Sequence, residues 1–160
     1  MTAKYTYFAI TAAVIVVLDQ ITKALILQHF NLHDSVSVVP GFFNLTHIRN
    51  PGGAFGVLAG GGSTLRNMLF LGAGSVALGM ILFFLRATPD KDRLMRFTLA
   101  LIFGGALGNI IDRLRFGEVV DFLDFYLGGL HWPAFNVADS AITVGIGLFV
   151  YHIIFKPMPQ

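Results

Sequence analysis

Long apolar runs separated by short polar connections dominate the chain. Four of them, at about residues 5–27, 65–85, 94–114 and 135–155, are long enough to cross a bilayer, because a transmembrane helix needs roughly 20 apolar residues. Lipid offers no partner to the backbone groups of an open strand, so we predict a helix for each run. The pattern predicts an all-α membrane protein with four transmembrane helices in one domain over residues 1–160.

The connection between the first two spans carries a second pattern. Within about residues 33–58, Ser35–Val39 and Phe42–Arg49 have the composition of strands, and Pro40-Gly41 between them is a turn signal. We therefore predict a small extracytoplasmic β-sheet or hairpin that rests at the outer interface of the membrane.

The distribution of cations gives the orientation. Lys4, Lys156 and the four cations within residues 86–96 lie on one side of the predicted spans, which we assign to the cytoplasm because cytoplasmic loops carry an excess of Lys and Arg. Both termini are then cytoplasmic, and the connections at about residues 28–64 and 115–134 face outward. The first span is expected to stay as a helix, because charged residues interrupt the place where a signal-peptide cleavage site would lie.

The composition supports a membrane protein and excludes several kinds of site. The chain is 55% hydrophobic and 12% charged, whereas a soluble domain carries about 25% charged residues. It has no cysteine, which excludes disulfides, a thiolate nucleophile and cysteine-ligated metals. The five histidines are dispersed, so we predict no metal and no cofactor. The net charge of +2 comes from scattered cations, which argues against nucleic-acid binding.

Two aspartates are the leading candidates for chemistry. Asp121 in Val-Val-Asp-Phe and Asp139 in Phe-Asn-Val-Ala-Asp-Ser stand beside apolar segments, where a carboxylate costs roughly 2.5–3.5 kcal/mol. Two carboxylates that approach each other can share one proton and activate a water molecule. Each also has a plainer interpretation: Asp121 as an ordinary loop acid, and Asp139 as the third residue of a helix that Asn136 caps.

Polar residues within the first span form a second candidate group. Asp19 and Lys23 are four residues apart, so they share one helix face. They are either part of a polar cluster that positions a substrate or the carboxylates, or a self-neutralising pair that ends the helix near the interface. Gln20 and Thr22 are expected to form hydrogen bonds that pack the helices together.

The third span ends in the densest polar segment. Gly104–Gly108 forms a GxxxG motif, which is typical of close helix packing, and Asn109, Asp112 and Arg113 follow within the last turns. A carboxylate near a helix C-terminus opposes the helix dipole. Asp112 therefore needs a cationic partner, for which Arg113 and Arg49 are the candidates, and a structural ion pair is as good an interpretation as catalysis.

The segments that contain these residues resemble lipoprotein signal peptidase, also called signal peptidase II, the bacterial aspartic peptidase family of the inner membrane. The matching segments cover essentially the whole chain in the family's order: Leu18–Lys23, Arg49–Phe55, Gly104–Arg113, Val119–Phe122 and Pro133–Ala141. One departure stands out: the family's usual N-T-G-A-A-F segment is Asn-Pro-Gly-Gly-Ala-Phe here, so Pro51 removes a hydroxyl whose role is then in doubt.

The resemblance implies a fold, a site and a substrate. It implies four transmembrane helices, a small extracytoplasmic sheet and a mobile outer lid within about residues 115–134, for which the glycine- and aromatic-rich residues 122–132 are the candidate. It implies Asp121 and Asp139 as a catalytic dyad without metal or cofactor. It also implies supporting polar roles for a further set of residues: Asp19, Lys23, Asn50, Asn109, Asp112, Arg113 and Asn136.

The implied substrate is a prolipoprotein whose lipobox cysteine already carries diacylglycerol, and cleavage falls immediately before that cysteine. The resemblance further implies that membrane phospholipid surrounds the protein, that the cyclic peptide antibiotic globomycin inhibits by occupying the site, and that the site lies toward the periplasmic side of the inner membrane.

Other classes of function remain open on the residues alone. Intramembrane Asp, Lys and Asn side chains can line the path of a small transporter or channel, although the inner halves of the second and fourth spans have almost no ionisable groups. A non-catalytic assembly factor that packs through its GxxxG face is the third class. A Ser140–Lys23 pair is an alternative nucleophile and base.

Overall fold

Four long helices and one small sheet make up the protein. The computed structural model describes residues 3–52 and 63–155, with helices α1 (Ala3–His29), α2 (Ser63–Ala87), α3 (Arg93–Phe116) and α4 (Val137–Phe155). Each helix is long and apolar enough to cross a membrane, and large apolar side chains such as Phe83 point outward from the bundle. This confirms the four predicted spans.

Helix α3 lies at the centre of the bundle and contacts each of the other three helices. Its glycines allow this close approach. A methyl group added at Gly104 would lie 2.8 Å from the Ala12 carbonyl oxygen of α1, and one added at Gly105 would collide with the Ala138 carbonyl oxygen of α4. The glycines of the GxxxG segment thus serve helix packing, as the motif indicates.

The ends of α3 are defined by capping residues. The Asp92 side chain caps the first turn, because its Oδ1 accepts a hydrogen bond from the Met95 backbone N–H at 3.0 Å. Gly117 ends the helix with φ of 76° and donates its backbone N–H to the Arg113 carbonyl at 3.0 Å. This left-handed conformation is the usual glycine C-cap, and it turns the chain from the membrane into the sheet.

The opposite end of the bundle has its own polar contacts. Lys4 is buried and donates from Nζ to the carbonyl oxygens of Thr88 at 2.5 Å and Arg86 at 3.2 Å, at the end of α2. His152 Nε2 lies 2.6 Å from Asp92 Oδ2. These contacts connect the start of α1 to the end of α2, and the end of α4 to the residue that caps α3.

The sheet has four antiparallel strands in the order β1-β2-β3-β4: β1 (Ser35–Val39), β2 (Phe43–Asn50), β3 (Val119–Leu127) and β4 (Leu130–His131). Strands β1 and β2 come from the connection for which a hairpin is predicted, and they confirm the small sheet. The last part of that predicted segment, residues 53–58, lies outside the described residues.

The other outer connection contributes strands that the sequence analysis does not predict. Residues 119–127 form β3, which pairs with β2 from Asn50 opposite Val119 to Phe43 opposite Phe125. Its first four residues are all buried, so the strand lacks the alternation of apolar and polar residues by which strands are recognised. Residues 122–132 are therefore largely strand, and their opening as a lid stays a prediction.

An apolar cluster attaches the sheet to the bundle. Ile26 of α1 packs with Val120 and Phe122 of β3, and both strand residues are almost fully buried. They stand immediately before and after Asp121. This packing places the strand, and the carboxylate between these two residues, against the end of the helical bundle that adjoins the sheet.

Candidate active site

Asp121 lies on the central strand pair at the edge of the helical bundle. It is 1% exposed and pairs in register with Ile48 of β2. Two residues farther along β2, Asn50 donates from Nδ2 to Asp121 Oδ2 at 2.9 Å. The Asn50 side chain is in turn held by the Gly52 backbone N–H, which donates to its Oδ1 at 2.9 Å.

Asp139 lies in the first turn of α4 and is part of its cap. Asn136 Oδ1 accepts a hydrogen bond from the Asp139 backbone N–H at 2.9 Å, and Asp139 Oδ2 accepts one from the Asn136 backbone N–H at 3.3 Å. This reciprocal pair is a capping box, as the spacing predicts. Asp139 is only partly buried, so the more accessible of the two carboxylates is the one on the helix.

One residue joins the two carboxylates. Besides capping α4, Asn136 donates from Nδ2 to Asp121 Oδ1 at 2.7 Å, and it is itself completely buried. The structure therefore brings Asp121 and Asp139 together across a single asparagine. The plainer interpretation of Asp121 as a loop acid is wrong, because the residue is buried in strand β3. The interpretation of Asp139 as a capping acid describes part of its contacts, since its other oxygen accepts a hydrogen bond from Asn109.

Asn109 of α3 supports the other side of Asp139. Its Nδ2 donates to Asp139 Oδ1 at 2.8 Å, while its Oδ1 accepts from Lys23 Nζ at 3.1 Å and from Asn136 Nδ2 at 3.3 Å. Because a lysine ammonium can only donate, Lys23 fixes the carbonyl side of this amide, and the NH₂ group must face Asp139. Each carboxylate thus receives two hydrogen bonds from nitrogen donors.

Lys23 is at the centre of a buried ionic cluster between α1 and α3. Its Nζ lies 2.9 Å from Asp19 Oδ2 and 2.9 Å from Asp112 Oδ2, and the three side chains are 0–2% exposed. Gln20 adds a hydrogen bond from Nε2 to Asp112 Oδ1 at 2.9 Å. The Asp19–Lys23 pair is therefore part of a cluster deep in the protein and does not end the helix at the interface.

The two acids of this cluster hold the backbone beside the two candidate catalytic residues. Asp112 Oδ2 accepts from the Val120 backbone N–H at 3.1 Å, one residue before Asp121. Asp19 Oδ1 accepts from the Ala138 backbone N–H at 2.9 Å, one residue before Asp139. Every residue except proline has a backbone N–H, so a sequence motif does not indicate which of them these carboxylates bind. The two contacts could therefore not be predicted from the sequence.

The partner of Asp112 differs from the two candidates given by the sequence. The cation beside its carboxylate is Lys23, whereas the guanidinium of Arg49 stacks over the Phe116 ring with Cζ 4.6 Å from its centre. Arg113 donates from Nη1 to the Asn109 carbonyl at 3.3 Å and stacks over Phe70. Arg113 thus reaches the site through Asn109, and helix α1 supplies the charge that Asp112 needs.

The alternative nucleophile pair is not assembled. Ser140 donates from Oγ to the Asn136 carbonyl at 2.9 Å, while the Lys23 ammonium is held by Asp19, Asp112 and Asn109. Within residues 3–52 and 63–155, no group of three His, Cys, Asp or Glu side chains is arranged to hold a metal ion. The groups that the structure brings together at the site are two carboxylates and their amide donors.

Burial changes the pKa of the Asp121 carboxyl. Its removal from water raises the pKa of the Asp121 carboxyl to about 7, and the negative charge of Asp139 adds to this rise, whereas hydrogen bonds from Asn50 and Asn136 limit it. Like charges at close range disfavour double ionisation. Asp121 therefore keeps its proton up to about neutral pH, and a protonated carboxyl beside a second carboxylate is the arrangement required for combined acid and base catalysis.

Comparisons with known proteins agree with this geometry. A family model described as Signal peptidase (SPase) II matches residues 11–155. A lipoprotein signal peptidase of Desulforapulum autotrophicum is 56% identical over 151 residues, which is 94% of this chain and 93% of that protein. The lipoprotein signal peptidase of Syntrophus aciditrophicus is 50% identical over 149 residues, with 93% and 92% covered.

The fold is shared with solved structures as well. A bacterial membrane enzyme determined by the in meso method at 2.3 Å resolution superposes with a TM-score of 0.83 and 33% sequence identity, over 97% of this chain and 94% of that one. The likeness therefore extends across the helices and the sheet together. On its sequence, its four spans and this shared architecture, the chain belongs to the signal peptidase II family of aspartic peptidases.

Proposed function

We propose that Asp121 and Asp139 are the catalytic dyad of an endopeptidase that removes the signal peptide from diacylglyceryl-modified prolipoproteins, with cleavage immediately before the lipidated cysteine. The observation that carries the assignment is the bridging position of Asn136, which contacts both carboxylates at hydrogen-bonding distance. Family membership supplies the class of substrate.

The mechanism follows from one proton shared by the pair. The ionised carboxylate removes a proton from a water molecule as that water attacks the scissile carbonyl. The protonated carboxyl donates a hydrogen bond to the carbonyl oxygen and then helps to protonate the leaving amine. The two groups titrate as a unit, and no covalent intermediate is required. The partial exposure of Asp139 gives water and peptide access to the pair.

The remaining polar residues position the dyad. Asn50, Asn109 and Asn136 donate to the carboxylates and are the candidates for stabilising charge that develops on the carbonyl oxygen. Asp19 and Asp112 hold the backbone next to each dyad residue. Lys23 neutralises them, and Arg113 acts through the Asn109 carbonyl.

The surroundings of the enzyme follow from the same arrangement. The apolar outer faces of the helices are the proposed contact with membrane phospholipid, and the cations at Lys4 and residues 86–96 support a cytoplasmic location for both termini. The dyad then lies toward the periplasmic side, where a translocated lipoprotein is anchored. Globomycin, a cyclic peptide antibiotic, is expected to inhibit by occupying this site, and residues 122–132 are the proposed lid over the acyl chains.

A cleavage assay tests the assignment. Purified enzyme is incubated with a diacylglyceryl-modified prolipoprotein, with and without globomycin, and processing is followed as a shift on a gel. Asp121→Asn and Asp139→Asn should each lose turnover by several orders of magnitude, because either change removes half of the acid–base pair. Both proteins should still insert and purify as folded proteins.

Asp124→Asn is the matched control. Asp124 lies on the same strand as Asp121, but its carboxylate contacts Asn44 and His131, so its loss should leave processing near the wild-type rate. An Asp139→Asn enzyme with near-normal turnover would refute the dyad.

A further inference from the structure

Phe70 on α2 occupies a position that the motifs of the family segments do not mark. Its side chain is turned toward the bundle and is partly buried, whereas the preceding Leu69 is 51% exposed toward the lipid. Phe70 lies two turns inside the start of α2 and contacts residues from two other parts of the chain. Both contacts lead to the candidate active site.

The first contact is with the turn that follows β2. Ring atoms of Phe70 lie against Gly52, where an added methyl group would come within 2.6 Å of Cδ2. Gly52 has φ of 92°, a conformation that favours glycine, and its backbone N–H donates to Asn50 Oδ1 at 2.9 Å. Asn50 in turn donates to Asp121 at 2.9 Å. Two residues, Gly52 and Asn50, therefore connect the ring to a dyad carboxylate.

The second contact is with Arg113 on α3. The Cζ atom of Arg113 lies 5.0 Å from the centre of the Phe70 ring, within the range of a cation–π interaction. The same guanidinium donates to the carbonyl of Asn109, whose side chain donates to Asp139. Asn67, one turn before Phe70, adds a hydrogen bond to the Arg113 carbonyl at 3.3 Å.

We infer that Phe70 is a positioning residue for the cleavage reaction, whose ring holds the Asn50–Gly52 turn and the Arg113 guanidinium in place on either side of the dyad. The inference rests on the proposed function of Asp121 and Asp139. It assigns to α2, which supplies none of the proposed dyad or supporting residues, the task of fixing the groups that orient the two carboxylates.

The aromatic ring is the part of the side chain that does this. A flat ring can pack closely against a glycine, and its π-electron face attracts a guanidinium. A methionine of similar volume fills the same space but has no such face and adapts its shape. Phe70→Met should therefore preserve the packing of α2 on α3 while it releases the turn and the guanidinium.

The test compares Phe70→Met with Leu69→Met, a change of the same kind on the lipid-facing side of the same helix. Rates are measured on a diacylglyceryl-modified prolipoprotein across the neutral pH range. Phe70→Met should lower kcat by about tenfold with little change in KM, since small misplacements of catalytic groups are costly. Its activity should extend to higher pH than that of the wild type, because a weaker Asn50 contact favours protonated Asp121. Leu69→Met should match the wild type in both respects.

A double-mutant comparison separates positioning from general damage. If Phe70 acts through Asn50, the fold-loss in kcat of Phe70→Met should shrink in an Asn50→Ala background, since effects of coupled residues do not multiply. Fold-losses that multiply, or a Phe70→Met enzyme with wild-type kcat and pH profile, would overturn the inference. Phe70→Leu provides a second variant should Phe70→Met not purify folded. An active Asp121→Asn enzyme would instead remove the proposed function itself.

Discussion

The Lys23 ammonium has three hydrogens and three acceptors, namely a carboxylate oxygen from Asp19, one from Asp112 and the amide oxygen of Asn109. The match explains how a cation can be 2% exposed in an apolar bundle, because burial of a charge is tolerated only where it is paired and fully hydrogen-bonded. It also orients the Asn109 amide toward Asp139. One side chain thus determines both the stability of the cluster and the direction of a donor in the site.

We expect Lys23→Met to destabilise the enzyme strongly. The change leaves two buried carboxylates without a cation, and loss of one partner of a buried ion pair typically costs about 3–5 kcal/mol. Thermal unfolding in detergent measures the loss. Lys91→Met, at an exposed position in the loop before α3, should unfold at the wild-type temperature. A Lys23→Met protein that is as stable as this control would contradict the importance of the cluster.

The titration of Asp121 predicts the pH dependence of processing. Burial raises the pKa of this carboxyl to about 7, so the pair holds its proton below that pH and loses it above. With both carboxylates ionised no acid remains, and kcat/KM should fall as pH rises through neutrality. The hydrogen bond from Asn50 lowers the pKa of Asp121, so Asn50→Ala should move this decline to higher pH. A decline at unchanged pH would show that the bond does not tune the dyad.

Among the elements, the four helices could be predicted from the sequence, whereas strand β3 could not. A run of about 20 apolar residues predicts a helix, because a helix satisfies its own backbone hydrogen bonds in lipid. The capping box at Asn136 and Asp139 is predicted by their spacing of three residues. Strand β3 is buried on both faces at Val119–Phe122, so its apolar pattern has no period of two. The contact of Lys23 with Asp112 joins α1 to α3, and a sequence spacing does not reveal a pairing between helices.

Close packing of α3 can be tested at Gly108. A methyl group here would lie 2.6 Å from Asp19 Oδ2, so Gly108→Ala should displace that carboxylate from Ala138 and lower both stability and turnover. Overpacking of this kind usually costs about 1–3 kcal/mol. Gly72→Ala on α2 is the control, because nothing lies within 4 Å of its added methyl group. Unfolding temperature and kcat are the measurements, and equal values for the two variants would refute the packing argument.

At the scale of the whole molecule, the proposed orientation predicts which surfaces face each side of the membrane. The chain contains no cysteine, so single cysteines can be introduced without background. Leu130→Cys, at an exposed site on β4, should react with a membrane-impermeant maleimide in intact spheroplasts. Asp90→Cys, in the exposed loop between α2 and α3, should react only after the membrane is opened. The reverse pattern would invert the assigned topology.

The ionic cluster around Lys23 also bears on how the protein is made. Ribosomes deliver α1 before α3, and α1 brings its lysine with Asp19 at a spacing that lets the two neutralise each other on one helix. When α3 inserts, Lys23 is already in the bilayer and can pair with Asp112. This pairing offsets the insertion penalty of roughly 2.5–3.5 kcal/mol for a lone carboxylate. The order of the helices along the chain thereby becomes an order of assembly: α1, which carries Lys23, is synthesised first, and α3, whose Asp112 depends on that lysine, follows.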